Sequence, residues 1–156
     1  VATLHHQVWI NAPVAGVYER ISTAEGLGRW WAPHTSTRTE AGLVLAHDPG
    51  PAHGPVQFRV LERTANRRVE WEVISTHPRS SPASAWTGTR IAFEIEERDN
   101  IASQSGFGRD SDRVAVLEFR HSGWDESSPY FGFCNFAWGQ ALQLFQDVMR
   151  VVAPSN

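Results

Sequence analysis

One long stretch of helical periodicity closes a chain that otherwise alternates with period two, and that order restricts the possible folds severely. From about Tyr130 to Val152 apolar side chains recur at helical spacing: Phe133, Phe136, Ala137, Ala141, Leu144, Phe145, Val148 and Val152. Trp138, Leu142 and Met149 widen that stripe, so the pattern predicts a helix lying across a sheet, ended by Pro154. Earlier segments alternate apolar with polar residues, as strands do when one face is buried and the other meets water. Leu4, His6, Val8 and Ile10 share a face in the first such segment. Val56, Phe58 and Val60, then Val69, Trp71 and Val73, then Ile91, Phe93 and Ile95, and finally Leu117, Phe119 and His121 do so later. A weaker strand signal runs from Thr37 to His47, aligning Leu43, Leu45 and His47.

Between the first strand and the others lies helical spacing. Asn11-Ala12-Pro13 ends the strand and opens a helix carrying Val14, Val17, Tyr18 and Ile21, because proline is tolerated in a first turn. Thr23 is placed to cap a second short helix carrying Leu27, Trp30 and Trp31, with Pro33 as its stop. Turns are expected at the Pro/Gly-rich segment 48–55, near Ala65-Asn66 and over 79–85, and a long polar loop over 99–113. The expected class is α+β: a strongly curved antiparallel sheet wrapped around a long C-terminal helix, with two short helices after the first strand. One domain over residues 1–156 fits the length. A curved sheet cannot close fully on a helix, and the space left between them is the candidate site.

The seven tryptophans bear on that space. Trp9, Trp30, Trp31, Trp71, Trp86, Trp124 and Trp138 are hard to pack into an ordinary core, since each ring is bulky and each N–H wants a partner. The wall of a ligand-filled hollow suits them. A well-filled aromatic core is the other reading of the same residues.

Charge and cysteine usage narrow the chemistry. The net charge of −3 leaves no strong field to draw nucleic acid or an anionic membrane. All 14 basic residues are arginine, scattered as a composition bias would scatter them, and the absence of lysine excludes Schiff-base catalysis. Cys134 is the single cysteine, so neither an intrachain disulfide nor a Cys-rich zinc site can form. His5, His6, His47, His53 and His77 have no tight ligand spacing, so no metal and no cofactor is expected. No apolar run is long enough to span a bilayer, and a cytoplasmic setting is the expectation. Ser122 sits beside His121 on the opposite strand face, and no nucleophile elbow occurs.

Several motifs together carry a family likeness. They are Ile10-Asn11-Ala12-Pro13 leading to Val17-Tyr18, then Ile21 to Leu27 with Trp30-Trp31, and Val69-Glu70-Trp71. Trp86-Thr87-Gly88-Thr89 with Ile91 and Phe93 follows, then Phe119-Arg120-His121-Ser122-Gly123-Trp124, and Trp138 with Leu142. In this order the chain resembles the START-like, birch-pollen-allergen-like superfamily (SRPBCC, helix-grip fold). More narrowly it resembles the branch named for activators of the heat-shock protein 90 ATPase. The resemblance implies a helix-grip fold and leaves function open among lipid carriers, polyketide cyclases and co-chaperone domains. Relatives usually have a short turn before the last strand, where this chain has the loop through Gly106-Phe107-Gly108, either a cover for a cavity mouth or a tolerated insertion.

Three functions are therefore weighed. The first is binding of a small hydrophobic or aromatic molecule in a cavity lined by Trp30, Phe58, Trp71, Phe93, Phe119, His121, Trp124, Phe131, Trp138 and Leu142. The second is a metal-independent cyclase or dehydratase using the same cavity, with His121 as the catalytic proton carrier because its parity aims it at the concave face. A structural histidine bonded to the backbone is the competing role for that residue. The third is an interaction protein, docking on a chaperone or pairing as a homodimer.

Overall fold

A computed structural model describes residues 1–100 and 113–152. In chain order the elements are β1 (Ala2–Ile10), α1 (Val14–Ser22), α2 (Ala24–Leu27), β2 (Thr35–Thr39), β3 (Gly42–His47), β4 (Val56–Thr64), β5 (Arg68–Val73), β6 (Arg90–Asp99), β7 (Arg113–Trp124) and α3 (Phe131–Val152). The seven strands form one antiparallel sheet ordered β1-β7-β6-β5-β4-β3-β2. First and last strands are neighbours, with Leu4 opposite His121 and Val8 opposite Leu117. The expected α+β plan, a curled sheet around a C-terminal helix with two short helices after β1, is what the chain adopts.

Alternation builds the two faces of the sheet. Leu4, Ile10, Phe58, Val69, Trp71, Val73, Ile91, Phe93, Leu117 and Phe119 all turn inward and are buried. Their partners on the convex face carry charge. Glu62 lies directly opposite Glu70, a repulsive pairing that Arg68 relieves by bonding both, at 3.0 and 3.1 Å, and Glu94 as well. Glu70, Glu72 and Glu94 thus belong to the outer face, as their parity implies. Asn66, at φ +62°, turns β4 into β5 in the left-handed conformation that asparagine tolerates.

α1 and α2 lie so close that Gly26 touches the end of α1. A Cβ there would come within 2.1 Å of the Glu19 carbonyl oxygen. Thr23 caps α2 as expected, its hydroxyl accepting from the Gly26 N–H at 2.9 Å. Trp30 then secures the corner. Its indole N–H donates at 2.9 Å to the Arg20 carbonyl, one of the acceptors a helix end leaves without an internal partner.

Three expectations need correction. The stretch Thr37 to His47 is two strands, because Gly42 at φ +110° allows a tight reversal after Thr39. α2 ends at Leu27, so Trp30 and Trp31 sit in the following turn. The third concerns α3, whose inner face is Cys134, Trp138, Leu142, Phe145 and Met149. Phe133, Phe136 and Leu144, expected on the sheet-facing stripe, are instead 60%, 69% and 50% exposed. Asn135, Gln140, Gln143, Gln146, Asp147 and Arg150 mark the outer side of the helix. The apolar residues span about half its circumference, wider than the face the sheet covers, so Phe133 and Leu144 fall at its border and Phe136 among the polar residues.

Candidate functional site

The space between sheet and helix contains one continuous set of rings. Phe58 meets Trp71 at 5.0 Å between centroids, Trp71 meets Phe93 at 5.2 Å, and Phe93 meets Phe119 at 5.3 Å. Phe119 then contacts Trp138 at 4.4 Å, and Trp30 stacks on Phe145 at 4.5 Å. At the other end His121 meets Trp124 at 5.2 Å, and Trp124 meets Phe131 at 5.6 Å. Leu142 joins the same core. Every residue named as cavity lining is thereby brought together. The expected open hollow, however, is occupied by the rings themselves along this wall. Phe58, Trp71, Phe93 and Phe119 are 0% exposed, so no water-sized space touches them. Edge-to-face and offset contacts of this kind add about 0.5–1.5 kcal/mol per pair to the burial of the rings.

His121 is fully engaged. The Trp138 indole N–H donates to its Nδ1 at 3.1 Å, so that nitrogen carries no proton. The proton of the neutral ring is then on Nε2, 2.7 Å from Thr89 Oγ1. The Thr89 hydroxyl in turn donates to the Trp86 carbonyl. Burial alone pushes the His121 pKa down to about 3, so the imidazole is neutral at physiological pH. Gly123, at φ +88°, bends β7 just beyond it, and a Cβ at that position would lie 3.5 Å from Thr89 Cα. The catalytic role expected of His121 meets a physical obstacle: both nitrogens are bonded within the core, leaving none for a substrate. The chain Trp138–His121–Thr89–Trp86 fixes α3 to β7 and to the turn before β6.

A different cluster has unused bonding capacity. Trp31, partly buried, lies 4.9 Å from the rings of both His34 and His47, which lie 4.7 Å from each other. Inward it faces Phe58 at 5.9 Å, Trp71 at 6.4 Å and Trp138 at 5.0 Å. Trp31 is thus the ring between solvent and the aromatic interior. Three buried polar atoms around it have no partner: His34 Nε2, His47 Nδ1 and the Trp71 indole N–H. Each costs about 1–3 kcal/mol while unsatisfied. His34 donates from Nδ1 to the Ala32 carbonyl at 2.6 Å, which leaves its Nε2 as an acceptor. Burial lowers the pKa of His34, and burial together with the neighbouring His34 brings His47 to about 4. Both rings are therefore neutral near pH 7.

No local pattern in the sequence marks His34 or Thr89 as a site residue, and His47 stands out there only as a candidate metal ligand. Trp31 and His34 are three apart in a turn, where no periodicity aims a side chain. Among the described residues no group of three or more His, Cys, Asp or Glu is arranged to hold a metal ion. The segment 101–112, expected to form most of a covering loop, lies outside the described residues. No helix among those residues is long and apolar enough to cross a membrane.

Solved structures share this architecture. The Aha1 dimer from Colwellia psychrerythraea superposes with a TM-score of 0.72 at 23% identity, covering 96% of each chain. A Mesorhizobium loti protein gives 0.71 at 14% identity over 98% of this chain and 100% of its own. A Bacillus halodurans protein gives 0.65 at 17% identity over 96% and 97%. The chain has the helix-grip fold. No family model and no curated protein matches it. In this helix-grip, α3 is the gripped element, and the Trp31 cluster lies where the turn after α2 meets β3 and β4.

Proposed function

We propose that this chain binds a small hydrophobic or aromatic molecule between the sheet and the C-terminal helix, admitted by displacement of Trp31. The observation that carries the reading is the set of three partnerless polar atoms around that ring, on His34, His47 and Trp71. A ligand with a ring and a hydroxyl group would satisfy them. Its O–H would donate to His34 Nε2, and its oxygen lone pair would accept from the Trp71 indole. Apolar burial, at roughly 25 cal/mol per Å2 before ordering costs, would supply most of the affinity.

Titration with phenol, anisole and toluene tests this. Phenol should perturb tryptophan emission and the amide spectrum around Trp31 at the lowest concentration, and His34→Phe should abolish its advantage over toluene. If none of the three perturbs either signal, the ligand reading fails.

The same imidazoles support an enzymatic alternative of the cyclase or dehydratase kind. Each is neutral and has a nitrogen able to take a proton from a bound carbonyl compound. Turnover that survives His34→Phe and His47→Phe would remove that assignment. As to partners, the Colwellia protein is described as a dimer. We extend pairing to this chain, as a property separate from the ligand site.

A further inference from the structure

The charges of this chain avoid two segments. None of the 14 arginines and none of the 17 acidic residues falls within 1–18 or 127–146. The fold brings these segments together, because β1 packs beside α3: His6 Nε2 and Asn135 Oδ1 are 2.9 Å apart, and Gln146 donates to the Trp9 carbonyl at 2.8 Å. β1 is also an edge strand, hydrogen-bonded to β7 alone. The result is one uncharged strip on a surface otherwise rich in ion pairs.

Apolar side chains stand on that strip. Phe133, Phe136 and Leu144 are 60%, 69% and 50% exposed, together holding on the order of 300 Å2 of apolar surface in water. Between α3 and β1 runs a groove of about 630 Å3, lined by His6, Phe136, Gly139, Gln140 and Leu144 among others. Its far end is marked by Asp147, which pairs with Arg150 at 3.7 Å. Aromatic enrichment with depletion of charge is the composition of an interface centre.

Resting on the pairing proposed above, we infer that the occupant of this face is a second copy of the chain, docked α3 against α3 in antiparallel fashion. Phe136 and Leu144 lie two helical turns apart, with Gln140 midway. A two-fold axis at Gln140 therefore sets Phe136 of each copy against Leu144 of the other. The two Gln140 amides meet at the axis, where an amide both donates and accepts and so complements itself. An uncharged strip meets its own image without like-charge repulsion. The flanking Asn135, Gln143 and His6 extend the contact toward the roughly 800 Å2 per partner of a standard interface.

Sedimentation across micromolar to submillimolar concentrations tests the assignment. The wild-type chain should show a monomer–dimer equilibrium. Phe136→Glu and Leu144→Arg should each weaken it by about tenfold or more, since each buries a charge against an apolar partner twice. Mixing the two variants should restore a heterodimer, because the introduced charges then face each other. A wild-type chain that stays monomeric overturns both the pairing and the surface. A dimer indifferent to both substitutions keeps the pairing and overturns this surface. Both side chains are largely exposed, so unchanged circular dichroism should accompany either variant.

Discussion

The indole N–H of Trp138 meets Nδ1 of His121 at 3.1 Å, so a residue of α3 dictates which nitrogen of a β7 histidine carries the proton. Trp138→Phe keeps a ring in place and removes the donor. The buried Nδ1 is then unsatisfied, and the variant should lose about 1–3 kcal/mol in chemical denaturation. Ring nitrogen shifts should report the Nε2–H tautomer in the wild type and a mixture in the variant. An unchanged tautomer would mean that Thr89 sets it alone.

Acid should weaken the fold through the same residue. Folded, His121 resists protonation down to about 3; unfolded, it protonates near 6.5. Below pH 6.5 the unfolded state therefore holds more protons, and stability falls with pH until about 3. At about 1.4 kcal/mol per pH unit, the loss from this residue between pH 7 and pH 5 is about 2 kcal/mol. His34 and His47, whose pKa values are also lowered, add to it in the same direction. Denaturation of His121→Phe at both pH values should show a lower stability at pH 7 and a shallower decline toward pH 5. An equal decline in both proteins would contradict the burial argument.

Trp31→Ala should open the interior at its partly buried side. The loss should be about 2–4 kcal/mol, less than a fully buried tryptophan costs. The vacated volume borders Phe58, Trp71 and Trp138, so added indole should raise the melting temperature of the variant and leave the wild type little changed. Absence of rescue would indicate that neighbouring rings collapse into the gap.

Gly26→Ala should be among the costliest single changes available. Its methyl group would overlap the Glu19 carbonyl and approach Arg20 Cα at 2.7 Å, both backbone atoms that cannot swing aside. A loss of about 3 kcal/mol or more is expected in thermal or chemical denaturation, as α1 and α2 are forced apart. A variant within 1 kcal/mol of wild type would mean that the two helices separate freely.

The strands could be located because their period is local. Val69, Trp71 and Val73 alternate with Arg68, Glu70 and Glu72, and no distant residue is needed to see which side is wet. The caps and stops at Pro13 and Thr23 were equally local. The inward parity of His121 was legible too, but its partners were not: Thr89 lies 32 residues away and Trp138 lies 17 away.

Rotation of α3 shows the limit most clearly. Its apolar residues cover about half the circumference, and the face from Cys134 to Met149 that the sheet covers is only part of that half. The pattern therefore shows the general side that turns inward but not that Phe133 and Leu144 remain outside. Order along the chain was thus written in short-range patterns of residue type. Which rings fill the interior, and which stay exposed on α3, was chosen by the shape of the curled sheet. Close packing admits one arrangement of side chains where hydrophobicity alone would admit several.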